Sequence, residues 1–239
     1  MLSFSDMWLW VRYPRLWSVR KGVVTLCVRQ TENEGAIAGG FMVAPGYICT
    51  VAHGVIGAHT IQVYAHDGRQ VQLTSAAIKR DVYQGADVAL LHVPELADLP
   101  VLPLGDMRPM DGRPRRLVAL LAGDAPKSGW QLVTAFARQG FNSVQDYEFR
   151  PDIYTLIRHK GDFGTSGHVV QPGDSGSPVL NIDGTVAGMV FASLDRGVLF
   201  SGKIDVDNPP ERRYWHWLLA GTLVVPGRIL KGVVQHLAR

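Results

Sequence analysis

The chain has 239 residues, of which 46% are apolar and 19% charged, a globular balance that excludes disorder as the default. Its formal net charge is +3, and residues 1–21 account for all of it with four basic side chains and one acidic side chain. The rest of the chain is formally neutral, which argues against a nucleic-acid-binding face spread over the fold.

The two cysteines, Cys27 and Cys49, lie in no Cys-x-x-Cys pair and no Cys/His cluster. We therefore expect two buried free thiols, no metal site and no cofactor. So few cysteines favour a reducing, cytoplasmic setting. The sequence has no apolar run long enough to span a bilayer, and its N-terminus lacks the order of segments that marks a signal peptide.

Residues 1–21 precede the first strand signal as an aromatic and basic extension. Trp8, Trp10, Tyr13 and Trp17 alternate with arginines there. This composition is typical of a segment that docks on an anionic membrane surface or on a partner protein. It fits equally well an extension that packs on the body of the protein, and the two alternatives stay open.

Residues 22–105 carry about six short strand signals rich in β-branched residues, which are enough to close a small barrel. The predicted strands are 22–30, 36–44, 47–52, 61–65, 70–74 and 87–93. Pro45-Gly46 and Asp67-Gly68 predict tight turns between strands.

Residues 106–227 carry a second set of strands, after a Pro- and Gly-rich linker near 98–114. The predicted strands are 116–122, 129–138, 153–158, 166–170, 178–182, 185–192 and 219–225. An inserted loop near 194–218 either borders the substrate site or, as we slightly favour, forms an aromatic cluster that seals the second barrel. Helical spacing of apolar residues predicts one terminal helix over 228–239.

Three local motifs supply the parts of a nucleophilic serine site. They are TVAHG at 50–54, ADVALL at 86–91 and PGDSGSP at 172–178. Each has an ordinary structural interpretation alone: a histidine at a strand end, a solvated strand start and a plain turn. Together, in the order His, Asp, Ser, they predict a catalytic set.

A serine needs a base, a group that orients the base, and donors for the oxyanion. We predict His53 as the base, Asp87 as its orienting carboxylate and Ser175 as the nucleophile. The N–H groups of Gly173 and Ser175 are the predicted oxyanion hole, since glycine has no side chain to block a substrate carbonyl.

These motifs resemble the active-site segments of the trypsin-like, chymotrypsin-fold serine peptidases. GGFMVAPGYICTVAHGV and GDSGSPVLNIDGTVAGMV are most similar to bacterial trypsin-like and HtrA-type protease domains, with no PDZ domain expected after them. The resemblance implies an all-β fold of two six-stranded antiparallel β-barrels with a C-terminal α-helix. It places His53 and Asp87 on the first barrel and Ser175 on the second.

The resemblance also implies a specificity pocket. Its floor is Val169, and its walls are Val190, Phe191, Ala192 and Ser193. Because no charged side chain stands at the floor, we expect cleavage after small or medium apolar residues. The expected partner is a polypeptide substrate, and the oligomeric state is open.

Two hypotheses other than an active endopeptidase stay open. One is a catalytically silent binding module on the same fold, since a fold alone does not establish activity. The other is a membrane-tethered or polyprotein-derived processing protease, which differs in context and not in chemistry.

Overall fold

The computed structural model describes residues 11–31, 34–74, 78–80, 87–106, 115–121, 129–139, 154–158, 173–194 and 221–237. Two antiparallel β-sheets account for most of these residues. In this described part of the chain, no helix is both long and apolar enough to cross a membrane.

The first sheet has seven described strands. They are β1 Val23–Arg29, β2 Gly35–Ala44, β3 Tyr47–Val51, β4 Thr60–Ala65, β5 Gln70–Thr74, β6 Ile78–Arg80 and β7 Val88–His92. Their order across the sheet is β5-β4-β1-β2-β3-β7-β6. The predicted count was six, because β6 has only three residues and no sequence periodicity. Pairing of β6 with β7 from Ile78 to Leu91 adds the seventh strand.

The second sheet is a closed barrel of six strands, which confirms the predicted barrel. They are β8 Arg115–Leu121, β9 Gly129–Gln139, β10 Tyr154–Arg158, β11 Pro178–Asn181, β12 Val186–Leu194 and β13 Gly221–Pro226. Their order is β10-β13-β12-β11-β8-β9. The predicted strand 166–170 and residues 195–218 of the predicted loop lie outside the described residues.

Among the residues that the structure describes, two α-helices have both ends defined, and they flank the sheets. The first, α1, spans Pro14–Val19 and lies in the N-terminal extension, where the sequence analysis predicted no helix. The second, α2, spans Gly227–Leu237 and confirms the predicted terminal helix. Leu16 of α1 is fully buried, so this part of the extension packs on the body of the protein. Docking of the extension on a membrane or a partner stays a prediction.

One face of the first sheet forms its own apolar core. Leu26, Val28, Ile61, Val63 and Leu73 are buried there. Because side chains alternate along a strand, their neighbours in β1, β4 and β5 lie on the opposite face. That opposite face is polar, with Cys27, Gln62 and Gln72 in one row across the three strands.

A second core joins the two sheets. It contains Phe41, Cys49 and Leu90 of the first sheet, Val186, Met189 and Val225 of the second, and Leu230 of α2. Both cysteines are free thiols, as predicted, because they lie on β1 and β3, which do not pair. Cys49 is buried as expected, but Cys27 is only half-buried, because it lies on the polar face of the first sheet. Burial raises the pKa of the Cys49 thiol, which keeps it protonated.

Candidate active site

His53 lies just beyond the end of β3. The Ala52 N–H donates to the Asp87 carbonyl at 3.0 Å, and the Val55 and Ile56 N–H groups donate back to the Ala52 carbonyl in a tight turn. The chain therefore leaves the sheet at Ala52, and the next side chain projects outward. The His53 side chain is 52% exposed.

Asp87 holds His53 through two hydrogen bonds. Its Oδ2 lies 2.5 Å from His53 Nδ1, and its Oδ1 accepts the His53 backbone N–H at 2.7 Å. These contacts offset the cost of a carboxylate that is only 16% exposed. An imidazole that donates its Nδ1 proton to this carboxylate has Nε2 as its proton acceptor.

The backbone of Asp87 is unusual. Its φ is +52°, in the left-handed region that non-glycine residues seldom adopt, although aspartate is among the residues that tolerate it. Asp87 directly precedes β7, whose Val88 pairs with Val51 of β3. The strand pairing thus brings the second motif beside the first.

Residues 173–177 form a tight loop before β11, which we call the nucleophile loop. Gly173 and Gly176 have φ values of +98° and +89°, and the Ser177 N–H donates to the Asp174 carbonyl at 3.0 Å. Asp174 and Ser177 are buried, whereas Ser175 is half-buried. The loop therefore turns sharply and leaves Ser175 near the surface.

The nucleophile loop rests against the first sheet. The Gly39 N–H of β2 donates to the Ser175 carbonyl at 2.7 Å, and Thr50 Oγ1 of β3 donates to the Gly39 carbonyl at 2.6 Å. A Cβ on Gly176 would lie 2.1 Å from the Gly39 carbonyl oxygen. Since Thr50 precedes His53 by three residues, the backbone brings all three motifs into one region.

Gly39 and Thr50 are positioning residues that the sequence analysis did not single out. A Cβ on Gly39 would lie 2.3 Å from Ser177 Oγ, so only glycine fits there. The signal available in the sequence was the consecutive pair Gly39-Gly40 inside a strand, which indicates close approach of another backbone. Thr50 gave no such signal, because threonine is common in strands.

The predicted specificity pocket is only partly described. Val190 is fully buried, and its N–H donates to the Ser177 carbonyl at 2.9 Å. The register of β12 against β13 shifts between Val190 and Ala192. The backbone of Phe191, Ala192 and Ser193 continues β12. Val169 lies outside the described residues, so the pocket and its selectivity stay predictions.

The site has no described arrangement suited to a metal ion. Among the residues that the structure describes, no group of three or more His, Cys, Asp or Glu side chains is placed to hold one. The polar groups at this site are instead those of proton transfer: an imidazole, a carboxylate and a hydroxyl.

Comparison with known proteins identifies sequence relatives. The chain is 32% identical over 184 residues to a probable periplasmic serine endoprotease DegP-like from Halomonas elongata, covering 74% of this chain and 34% of that one. It is 30% identical over 175 residues to serine protease HTRA1 of Xenopus tropicalis, covering 71% of this chain and 34% of that one. The chain thus spans about a third of the length of these relatives.

Solved structures share the fold. The Rv3671c protease from M. tuberculosis in its active form superimposes with a TM-score of 0.62 at 21% identity, covering 96% of this chain and 86% of that one. A serine endoprotease from Yersinia pestis superimposes with a TM-score of 0.59 at 16% sequence identity, covering 99% of this chain and 67% of that one. The family model described as trypsin-like peptidase domain matches residues 38–189. That range includes His53, Asp87 and the nucleophile loop. This chain therefore belongs to the trypsin-like serine peptidases.

Proposed function

We propose that the protein is a serine endopeptidase in which Ser175, His53 and Asp87 act as a triad. The observation that carries the proposal is the pair of hydrogen bonds that the Asp87 carboxylate accepts from the Nδ1 and the backbone N–H of His53. Such a carboxylate fixes the imidazole tautomer and stabilises the imidazolium that forms during proton transfer.

In the proposed reaction, Ser175 Oγ attacks the carbonyl carbon of the scissile peptide bond while His53 Nε2 takes the hydroxyl proton. The N–H groups of Gly173 and Ser175 stabilise the negative charge on the carbonyl oxygen. His53 then gives the proton to the leaving amine, and an acyl-enzyme remains on Ser175. Water, deprotonated by His53, hydrolyses that ester and restores the serine.

We further propose that the residue before the scissile bond is small or medium and apolar. The support is the absence of any charge at Val169 and Val190, two of the positions that the family resemblance assigns to the pocket. One added or missing methylene changes selectivity only modestly, so the preference is loose. A peptide library in which cleavage follows mainly Arg, Lys or Glu would contradict this assignment.

The triad is tested by labelling with a serine-directed fluorophosphonate probe. We expect the native chain to be labelled at Ser175, and Ser175→Ala to show none of that label. His53→Ala should also lose rapid labelling, because the hydroxyl then has no base. Heat-denatured native chain is the control for nonspecific reaction. A native chain that stays unlabelled while folded would favour a silent binding module instead.

A further inference from the structure

A polar groove lies on the outer face of the first sheet, across β1, β4 and β5. Its volume is about 700 Å³. Hydroxyl, amide and cationic side chains dominate its walls, which include Cys27, Arg29, His59, Gln62 and Gln72. None of the catalytic residues proposed above belongs to it. It is therefore a separate feature of the surface that needs its own explanation.

Strand register shows how the groove is built. Cys27 pairs with Gln62, and Gln62 pairs with Gln72, so these three side chains form one row across the sheet. On the other side of β1, Cys27 pairs with Ile37 of β2. The row therefore runs from the floor of the groove to Ile37 on a single face of the sheet.

Ile37 connects this row to the proposed active site. Its Cβ lies 3.6 Å from the position that a Cβ on Gly173 would occupy, so it lies beside the glycine proposed for the oxyanion hole. One strand spacing is about 4.8 Å, so Cys27 lies roughly 5 Å beyond Ile37, and Gln62 and Gln72 lie roughly 10 and 14 Å beyond it. The groove thus begins next to the nucleophile loop and leads away from it.

The flanks of the nucleophile loop indicate which half of a substrate would enter the groove. On one flank, the Gly176 N–H donates to the Val190 carbonyl of β12, the strand assigned by resemblance to the pocket for the acyl half. On the other flank, Gly39 of β2 donates to Ser175. A chain whose acyl half lies along β12 must leave on the β2 side, over Ile37.

The charges of the groove indicate the chemistry of its ligand. Arg29 and His59 are exposed at one end, and the His59 N–H donates to the Arg29 carbonyl at 2.8 Å, which keeps the two residues together. No carboxylate is among the described side chains that line the groove. Glu34 lies beyond it, in the turn after β1. Among the described lining residues, an acidic side chain in the groove would therefore meet the Arg29 guanidinium with no competing carboxylate.

We infer that this groove binds the leaving half of the polypeptide substrate and prefers Asp or Glu there. An extended peptide advances about 3.3 Å per residue, so roughly 5 to 14 Å corresponds to about two to four residues beyond the one that lies over Ile37. With the first residue after the scissile bond over Ile37, the third to fifth residues after that bond lie in the groove. The inference rests on the proposed peptidase function, whose substrate class it narrows to segments that are acidic beyond the cleavage point.

Internally quenched peptides test the inference. All carry one acyl half, and their leaving halves have Glu, Gln or Lys at the third to fifth positions, with a further peptide truncated before the third. We expect kcat/KM for the Glu peptide to exceed that for the Lys peptide about tenfold, since an exposed charge pair contributes modestly and reversal adds repulsion. Arg29→Glu should abolish or reverse this ratio, and Lys231→Glu, which makes the same charge change on α2, should preserve it.

Two results would overturn the inference. The first is an equal kcat/KM for the Glu and Lys peptides in a chain that the fluorophosphonate labels, which leaves the peptidase function standing. The second is an equal binding affinity with and without Arg29, which is measured if no peptide is cleaved. For this measurement, fluorescence anisotropy follows binding of a labelled Glu leaving-half peptide to Ser175→Ala and to the double variant Ser175→Ala, Arg29→Glu. Equal affinities contradict the groove assignment, whereas a loss of affinity supports it independently of catalysis.

Discussion

Both the side chain and the backbone of Asp87 are held in place by hydrogen bonds near His53. Its carboxylate accepts two hydrogen bonds from His53, its carbonyl accepts the Ala52 N–H, and its φ is +52°. The sequence indicated the partnership with His53, because a carboxylate that leads an apolar strand needs a donor. It did not indicate the left-handed backbone, since aspartate is compatible with several conformations.

Substitution Asp87→Asn tests the orienting role. Asparagine tolerates the positive φ and still accepts the His53 backbone N–H, so the fold should survive. Its amide, however, donates where the carboxylate accepts, which forces the wrong imidazole tautomer. We expect kcat to fall roughly 10⁴-fold at neutral pH, with little change in KM. Steady-state kinetics measure kcat and KM, and circular dichroism shows whether the fold survives.

The comparison variant is Asp87→Ala, which removes both acceptors and places a less tolerant residue at positive φ. It should lose stability as well as activity. If Asp87→Asn retained more than a tenth of native kcat while folded, Asp87 would not be the group that orients His53.

At the scale of elements, the nucleophile loop depends on the strand against which it packs. Gly176 allows the loop to approach the Gly39 carbonyl, and Gly39 in turn allows Ser177 to approach β2. Thr50 completes the arrangement by donating to the same carbonyl. The shape of the loop is therefore determined by β2 and β3 as much as by its own sequence.

Substitution Gly176→Ala should distort this loop. The new Cβ would lie 2.1 Å from a backbone oxygen, and the φ of +89° disfavours any side chain. We expect a loss of about 3 kcal/mol or more in the free energy of unfolding, because overpacking adds to the backbone cost. Urea denaturation measures the loss, and fluorophosphonate labelling should fall with it.

Gly57 offers a matched control. Its φ is +73°, but a Cβ there would meet nothing within 4 Å. Gly57→Ala should therefore show only the backbone cost of about 1–2 kcal/mol and should keep its labelling. Equal losses for the two variants would mean that close packing of Gly176 against β2 does not matter.

At the scale of the whole molecule, one core unites both sheets and α2. Leu230 is fully buried in that core, whose members include Phe41 of the first sheet and Val186 of the second. The connecting segment adds backbone links, since the Leu102 N–H donates to Met42 and the Gly105 N–H donates to Val186. We therefore expect both sheets to unfold in one transition.

Substitution Leu230→Ala tests whether both sheets unfold in one transition. Loss of a buried leucine should lower the free energy of unfolding by about 2–5 kcal/mol. Tryptophan fluorescence and circular dichroism should still report coincident urea transitions. Lys231→Ala, at an exposed position of the same helix, should change stability by less than about 0.5 kcal/mol. Separated transitions would show that α2 stabilises the second barrel alone.

Much of the fold was predictable because strands of alternating or β-branched residues are bounded by turn residues. Residues 70–74 were predicted with the bounds of β5, and 36–44 and 61–65 each differ from β2 and β4 by one residue at the N-terminal end. The helix α1 was not predicted, because Pro14–Val19 is too short for helical periodicity to register.

The sequence indicated some features of the candidate site and not others. Local motifs indicated His53, Asp87 and Ser175, because each lies in a short segment with its own chemical signal. The groove and the contact between Gly39 and the nucleophile loop depend on strand register and on packing between distant segments, which local patterns do not specify. For this reason the sequence predicted the proposed chemistry better than the surface around it.

The hydrogen bond from Gly39 to Ser175 has a practical consequence. Under the proposed mechanism, a chain cut after Asp106 gives two fragments, one with the imidazole and carboxylate and the other with the hydroxyl. Neither fragment alone could hydrolyse a peptide, and turnover would return only when the two reassociate across the β2 contact. Fused to two binding proteins, the fragments would make hydrolysis a readout of how often those proteins meet.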